Sequence, residues 1–503
     1  MSELLEQTRN DLFLILPMVQ LSLFGLGVLI TDFLLEARYK YWNAVMAMLG
    51  VAFSGFSLWR LHAILQATGR TELLGFNRSL VIDNFFIFFS LIFLASTALV
   101  ILLSVRYMEI EEEHHGEYYA LMLFAVVGMM FMAAGYDIVV QFLGLETMAI
   151  SFYVLAGFLR RDRRSNEGAL KYLLLGAFSS GIFAYGLSIL FGLSGSTNLE
   201  NITAAVANIH QQRSGDILVL LALVTVAAGL FFKVAAVPFH MWAPDVYEGA
   251  PTPITAYVSV ASKTASFALL LRLFQTVFWP EKPNWEFLLA AVAVASLTLG
   301  NLAAITQNNL KRLLAYSSIS HVGYVLLGLV AGNEAGLLGV SFYLLVYAFM
   351  TTGAFGVIIV LRRKSLIGND IEDLNGLIQR SPSSAVLMLI FMLSLAGIPP
   401  TAGFLGKYYI FLSLIQTGHI WLAVFGALYI VPAVYYYFRI VVHAFMRDSR
   451  DTEPVTTSPA QAVALTVALF ITLAAGLYPQ PFAQLARLSV FDPFNTILGF
   501  LGR

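Results

Sequence analysis

Fourteen apolar runs follow one another along this chain, and each is long enough to cross a bilayer. A membrane-crossing helix needs roughly 20 predominantly apolar residues. The runs lie at about 11–33, 41–65, 80–105, 117–135, 138–159, 167–193, 215–237, 253–279, 285–304, 309–330, 336–362, 383–417, 419–446 and 459–478, with ends placed to within a few residues. Barrel strands alternate polar and apolar residues over about ten positions, so continuous runs of this length exclude a barrel. Composition agrees. The 503 residues carry 29 basic and 30 acidic side chains, whereas a soluble chain of this length carries about 126 charges. Such a chain has too little polar surface to cover a soluble core. The fold class expected is therefore an all-α polytopic membrane protein. A net charge of -1 offers no basic field for nucleic acid. There is no cysteine, which excludes thiolate-bound iron–sulfur clusters, disulfides and a thiol nucleophile in this chain. The first run starts among Glu3 and Glu6 and ends at Asp32, a pattern unlike a cleaved signal.

Lysine and arginine set the expected orientation. Fifteen fall in loops on one side, among them Arg160, Arg161, Arg163, Arg164, Lys311, Arg312, Lys364 and Arg450. Seven fall on the other, including Arg213 and Arg503. The first side should be cytoplasmic and both termini should face outward. Seven more lie within or at the edges of runs: Arg60, Lys171, Lys233, Lys263, Arg272, Lys407 and Arg439. Of these, Lys171, Arg272 and Arg439 are near span ends, where snorkelling is the expected behaviour.

Two spans are interrupted by proline, span seven at Val237-Pro238 and span twelve at Ile398-Pro399-Pro400. Lys233 and Lys407 beside these breaks are 174 residues apart, and matching span centres are separated by about 165–175 residues. Paired breaks in two halves mark transporters built from inverted repeats. This divides the chain into a three-helix segment at 1–116, a five-helix repeat at 117–279, an inverted five-helix repeat at 285–446 and a C-terminal helix and tail at 447–503.

Charge at mid-membrane costs roughly 2.5–3.5 kcal/mol or more per residue, so its presence is a functional signal. Glu146 in span five, Lys233 before the first break, Lys263 in span eight and Lys407 beyond the second break stand out. A carboxylate keeps a buried lysine protonated, and its withdrawal releases the proton. A Glu146–Lys233 pair feeding Lys263 and Lys407 is thus a candidate proton-translocation line. His321 in span ten, beside Ser317, Ser318 and Ser320, is a candidate relay near neutral pH or a histidine tying helices together. His240, Asp245 and Glu248 follow the first break; the two acids are expected to be solvated. The tyrosines are expected mostly to face lipid or other helices. No phosphate loop, dinucleotide fingerprint or metalloprotease motif is present, and His114-His115 with Glu111-Glu112-Glu113 lacks metal-ligand spacing, so no metal or cofactor is expected in this chain.

Three long segments resemble one family. They are the run from Lys233 through Pro238, His240, Trp242, Pro244 and Asp245 to Pro251, the run Asn309-Leu310-Lys311-Arg312 to His321-Val322-Gly323-Tyr324, and the run Ala396-Gly397-Ile398-Pro399-Pro400 to Lys407. Together they resemble the antiporter-like membrane subunits of proton-pumping NADH:quinone oxidoreductase, respiratory complex I. The segment Asp245-Val246-Tyr247 to Pro251 and the lysine at 407 are nearest to the bacterial subunit-N branch. The resemblance implies proton-channel roles for Glu146, Lys233, Lys263 and Lys407. It also implies FMN and iron–sulfur clusters in partner subunits, and subunit-M-like and small membrane subunits as neighbours in a bacterial inner membrane. The paralogous subunits M and L, and a Na⁺/H⁺ antiporter subunit of the same fold, stay open as alternatives.

Overall fold

Among the residues described by the computed structural model (2–212, 216–363, 368–448, 453 and 455–490), thirteen helices are long and apolar enough to cross a membrane. They run from Leu16–Leu34 to Pro459–Leu477. The remaining run, span twelve, is split into Pro382–Ala396 and Ala402–Gln416, each of 15 residues. The chain is a multi-pass membrane protein, and all fourteen expected runs correspond to helix. Arg213, Lys364, Arg450 and Arg503, counted above among the loop charges, lie outside the described residues. Two elements were not anticipated. A hairpin pairs Glu72–Gly75 with Leu80–Asp83 ahead of span three, and an amphipathic helix, Leu199–Gln212, lies between spans six and seven.

The two halves share a register in atomic detail. Asp137 caps span five (Ile138–Ala156) by accepting from the amides of Val139 and Val140. Asn309 caps span ten (Leu310–Ala331) by accepting from Lys311 and Arg312. Each cap satisfies amides that a helix start leaves without partners. Asp137 also bridges to Asn198, and Asn309 to Asp370. Helix packing repeats too. A side chain on Gly128 of span four would meet Met148 N at 2.5 Å and Gly144 O at 2.6 Å, and one on Gly300 of span nine would meet Ser320 N at 2.6 Å and Tyr316 O at 2.8 Å. Every one of these residues has its counterpart 172 positions later. Matching spans are five crossings apart, so the second copy traverses the membrane in the opposite sense.

The breaks follow a different spacing. Span seven, Asp216–Val234, ends at Ala235, whose φ is 60°, and Pro382–Ala396 ends at Gly397, whose φ is 83°. Both residues lie in the left-handed region that terminates a helix, which glycine adopts freely and alanine only at a cost of about 1 kcal/mol. These ends are 162 residues apart. The 174-residue spacing of the lysines is therefore not the repeat spacing. Lys233 sits in the last turn before its break, whereas Lys407 sits in the helix after its break.

The N-terminal segment is bolted to span eight. Arg272, expected to snorkel, is instead buried. Its guanidinium donates to both oxygens of Asp83 at 3.1 Å and to the Ala133 carbonyl at 2.9 Å, and lies 4.6 Å from the Phe85 ring centre. An arginine this far from solvent must be paired, and its five donors in a planar fork suit a carboxylate. Lys171 pairs with Asp245 and Glu167, and Arg439 donates to the carbonyls of Ile305 and Gln307, so neither simply reaches for water.

Candidate functional site

Glu146 lies on span five between the exposed Leu143 and Ile150, with Oε1 buried and lacking a hydrogen-bond partner. Lys233 is 2% exposed. The expected direct ion pair between them is not formed. Lys233 Nζ instead donates to Tyr153 Oη at 3.1 Å, and Glu146 acts on it through space. Tyr153 stands seven residues beyond Glu146, two turns along one face of span five. Its ring meets Tyr172 edge-on at 4.8 Å, and Tyr172 stacks flat on Trp242 at 4.5 Å. Trp242 Nε1 donates to the Phe232 carbonyl at 2.8 Å. That carbonyl belongs to the last turn before the break and also accepts from the Ala235 amide at 3.0 Å. Trp242, on the far side of the break, is thus anchored to the end of the helix that carries Lys233.

Lys263 follows a single π-helical turn, Val258–Ser262, within span eight, Thr252–Gln275. Such turns add a residue to the helix and frequently mark functional sites. Nζ donates to Ser318 Oγ at 2.5 Å, and Ser318 pairs with Tyr347 at 2.8 Å. Three residues along span ten, His321 contacts Tyr343 through Nδ1 at 2.5 Å and Tyr437 through Nε2 at 3.0 Å. Tyr437 bonds in turn to Ser317. Both Lys263 and Lys407 act on His321 through space. Lys407 Nζ donates to the carbonyls of Ala396 at 2.9 Å and Leu395 at 3.2 Å, and lies 4.7 Å from the Tyr324 ring centre. Those carbonyls end a half-helix, where the dipole favours a cation.

Among the described residues no acid is within ion-pair distance of Lys233, Lys263 or Lys407. The candidate line comprises two clusters, Glu146 with Lys233 and Tyr153, and Lys263 with Ser318, His321 and Lys407 around Tyr347 and Tyr324. It offers ammonium, hydroxyl and imidazole groups that can each hold or pass a proton. Tyrosine supplies much of its wall, and this the sequence reading missed by assigning tyrosines mainly to lipid and helix contacts. It also placed Lys311 in a loop, but Lys311 is buried and donates to the Ala250 carbonyl at 2.6 Å. Nor are Asp245 and Glu248 free in solvent. Arg312 donates to both, at 2.9 and 3.0 Å, and Lys171 holds Asp245 at 2.7 Å. Burial works against the Asp245 carboxylate, but hydrogen bonds and charge from Lys171 and Arg312 prevail and hold its carboxyl below the usual range. His240 is half-buried, which pushes its imidazole down. Among the described residues no group of three acidic, histidine or cysteine side chains converges to hold a metal.

Comparison with known proteins adds a sequence and a structural relationship. Residues 135–431 match the family described as NADH:quinone oxidoreductase/Mrp antiporter, TM. NADH-quinone oxidoreductase subunit N 2 of Solibacter usitatus (strain Ellin6076) is 55% identical over 485 residues, covering 96% of this chain and 98% of the relative. A chain of respiratory complex I from Thermus thermophilus superimposes with a TM-score of 0.78 at 32% identity, covering 94% of this chain and 99% of that one. A chain of the Mrp complex from Dietzia sp. DQ12-45-1b superimposes with a TM-score of 0.80 at 21% identity, covering 97% and 100%. That last likeness is one of fold.

Proposed function

The chain belongs to the NADH:quinone oxidoreductase/Mrp antiporter membrane family, and from that premise we propose that it is the subunit-N component of a proton-pumping NADH:quinone oxidoreductase. It moves protons across the membrane while electrons pass from NADH to quinone elsewhere in the assembly. The observation that carries this reading is the set of buried Lys233, Lys263, His321 and Lys407, with the half-buried Glu146 acting on Lys233. Ionisable groups at this depth are expensive, and here they are held by hydroxyls, aromatic faces and helix ends rather than locked in tight ion pairs.

In this mechanism the Glu146 carboxylate supports the ammonium of Lys233 at a distance. A change at the neighbouring subunit that weakens this support frees the Lys233 proton toward Tyr153 and onward to Lys263. His321 links Lys263 to Lys407, and the proton leaves on the outer side. This reading assigns the iron–sulfur clusters and FMN to partner subunits; the lack of cysteine, which leaves no thiolate to hold a cluster here, is consistent with the first. Subunit-M-like and small membrane subunits flank the chain, and both termini face outward from a bacterial inner membrane. The shared fold admits the antiporter reading, but 55% identity along nearly the whole chain to an oxidoreductase subunit favours the pump.

The test is to reconstitute the whole complex with Lys233→Ala or Glu146→Ala and to measure quinone reduction and proton pumping together. Both variants are expected to lose proton-coupled turnover. Unchanged rates and stoichiometry in both would remove the mechanism. Purification with small cofactor-free membrane subunits in place of flavin and iron–sulfur partners would favour the antiporter.

A further inference from the structure

A charged vestibule of about 540 Å³ opens where three parts of the chain meet. Its walls include Glu111 from the end of span three, Asp162 and Arg164 from the loop after span five, Glu248 from the short helix Trp242–Gly249, and Arg362 and Lys311 from the second half. This is the side on which most basic loop residues collect. Several of the wall charges are paired. Arg362 grips Glu111 at 2.6 and 3.1 Å, and Glu248 meets Arg312 at 3.0 Å and Arg164 at 3.6 Å.

Lys311 differs from them. It is 2% exposed; among the described residues no acid is within ion-pair distance of it, and its Nζ donates only to the Ala250 carbonyl, at 2.6 Å. Asp162, Glu248, Glu111 and Arg362 face it across the vestibule and act on it only through space. It is an ammonium at the floor of a polar cavity, tethered by one carbonyl.

Behind that floor lies the middle of the buried line. Ser318 follows Lys311 by seven residues, two turns on the same face of span ten and about 10 Å along it. Ser318 is the acceptor for Lys263. Tyr247, three residues before Ala250, lies against Lys263 with its ring centre 5.7 Å from Nζ, and its hydroxyl is buried in the neighbourhood of Ser318. The carbonyl that tethers Lys311 and the ring that covers Lys263 thus belong to one short stretch of chain.

We propose that Lys311 is the proton-uptake group of this chain, and that protons drawn from the vestibule join the line midway, at Lys263, rather than at its Glu146–Lys233 end. The proposal rests on the proton-translocating function above. In the step, an N–H bond of the Lys311 ammonium breaks and one forms at neutral Lys263, with the Tyr247 and Ser318 hydroxyls between them. Lys311 then regains its proton from vestibule water. No redox change is involved, and the total charge of the two lysines rises by one only when water resupplies the first.

The experiment uses the reconstituted complex with Lys311→Met, Lys311→Arg and, as a reference arm, Lys233→Ala. Arginine keeps the charge and can keep the bond to Ala250, but it does not release a proton. A structural role for Lys311 would be rescued by arginine, and an uptake role would not. Expected is a loss of proton-coupled turnover of about ten-fold or more in both Lys311 variants, with assembly retained in Lys311→Arg. Proton pumping at the normal ratio in assembled Lys311→Arg would overturn the proposal. If Lys233→Ala is impaired while Lys311→Arg is not, the uptake site is wrong and the pumping function stands. If neither is impaired, the pumping function fails with it.

Discussion

The two five-helix halves share one scaffold and place different chemistry on it. In the 172-residue register, Ser318 stands where Glu146 stands, and His321 stands where Ala149 stands. The first half supports its lysine with a carboxylate acting through space; the second supports Lys407 with the free carbonyls of a broken helix. A carboxylate can be neutralised or moved, whereas a helix end is permanent. In the proposed mechanism, the first half is then the responsive end of the line and the second the steady end.

The comparison breaks most easily at that one position. Glu146→Gln is expected to lose proton-coupled turnover by about ten-fold or more, and Ser318→Ala by only a few-fold, in reconstituted complex assayed for pumping. Equal losses would mean that the halves work alike. A smaller effect tests the shared scaffold. Gly128→Ala and Gly300→Ala each force a methyl group against backbone of the facing helix. Both should lower the thermal stability of the assembly by about 1–3 kcal/mol, and by similar amounts. A large disparity would show that the common register does not carry common packing. The smallest effect concerns the link between the halves, where Asp245 joins Lys171 of the first to Arg312 of the second. These groups are partly exposed, so Asp245→Asn should cost less than about 1 kcal/mol. Because the Asp245 carboxyl is held below its usual range, its contribution is complete at neutral pH and fades only as the solution becomes more acidic than about pH 4. Stability curves of the two proteins against pH should converge there and remain apart above it.

The spans and the four charges within them were legible because each is a local signal. Twenty apolar residues in a row have one economical use, and a lysine in their midst is costly wherever its partners lie. What was not legible depends on distant chain. The Asp83 that pairs with Arg272 is 189 residues away, and the carbonyl that tethers Lys311 is 61 residues away. Either basic residue, read alone near the end of its apolar run, looks interfacial. Tyr153 and Tyr172 read as ordinary membrane aromatics until Trp242, on the far side of a break, stacks against Tyr172 and Tyr172 meets Tyr153 edge-on. The π-helical turn before Lys263 leaves no mark in composition, since Val258–Ser262 is as good an apolar helix as its neighbours. The 174-residue spacing of the lysines suggested a repeat that exists, but for a reason the ends of the half-helices do not support.

The bolt between Arg272 and Asp83 carries a rule for comparing chains of this kind. An arginine left in that site without its acid would be a buried, unpaired charge, a loss of roughly 3–5 kcal/mol. The acid caps span three, and the arginine sits in span eight. Any related chain that begins after the third span must therefore have replaced the arginine, or must borrow a carboxylate from another subunit. Across a set of such sequences, these two positions should change together, and the length of the amino-terminal region should be readable from the residue at 272.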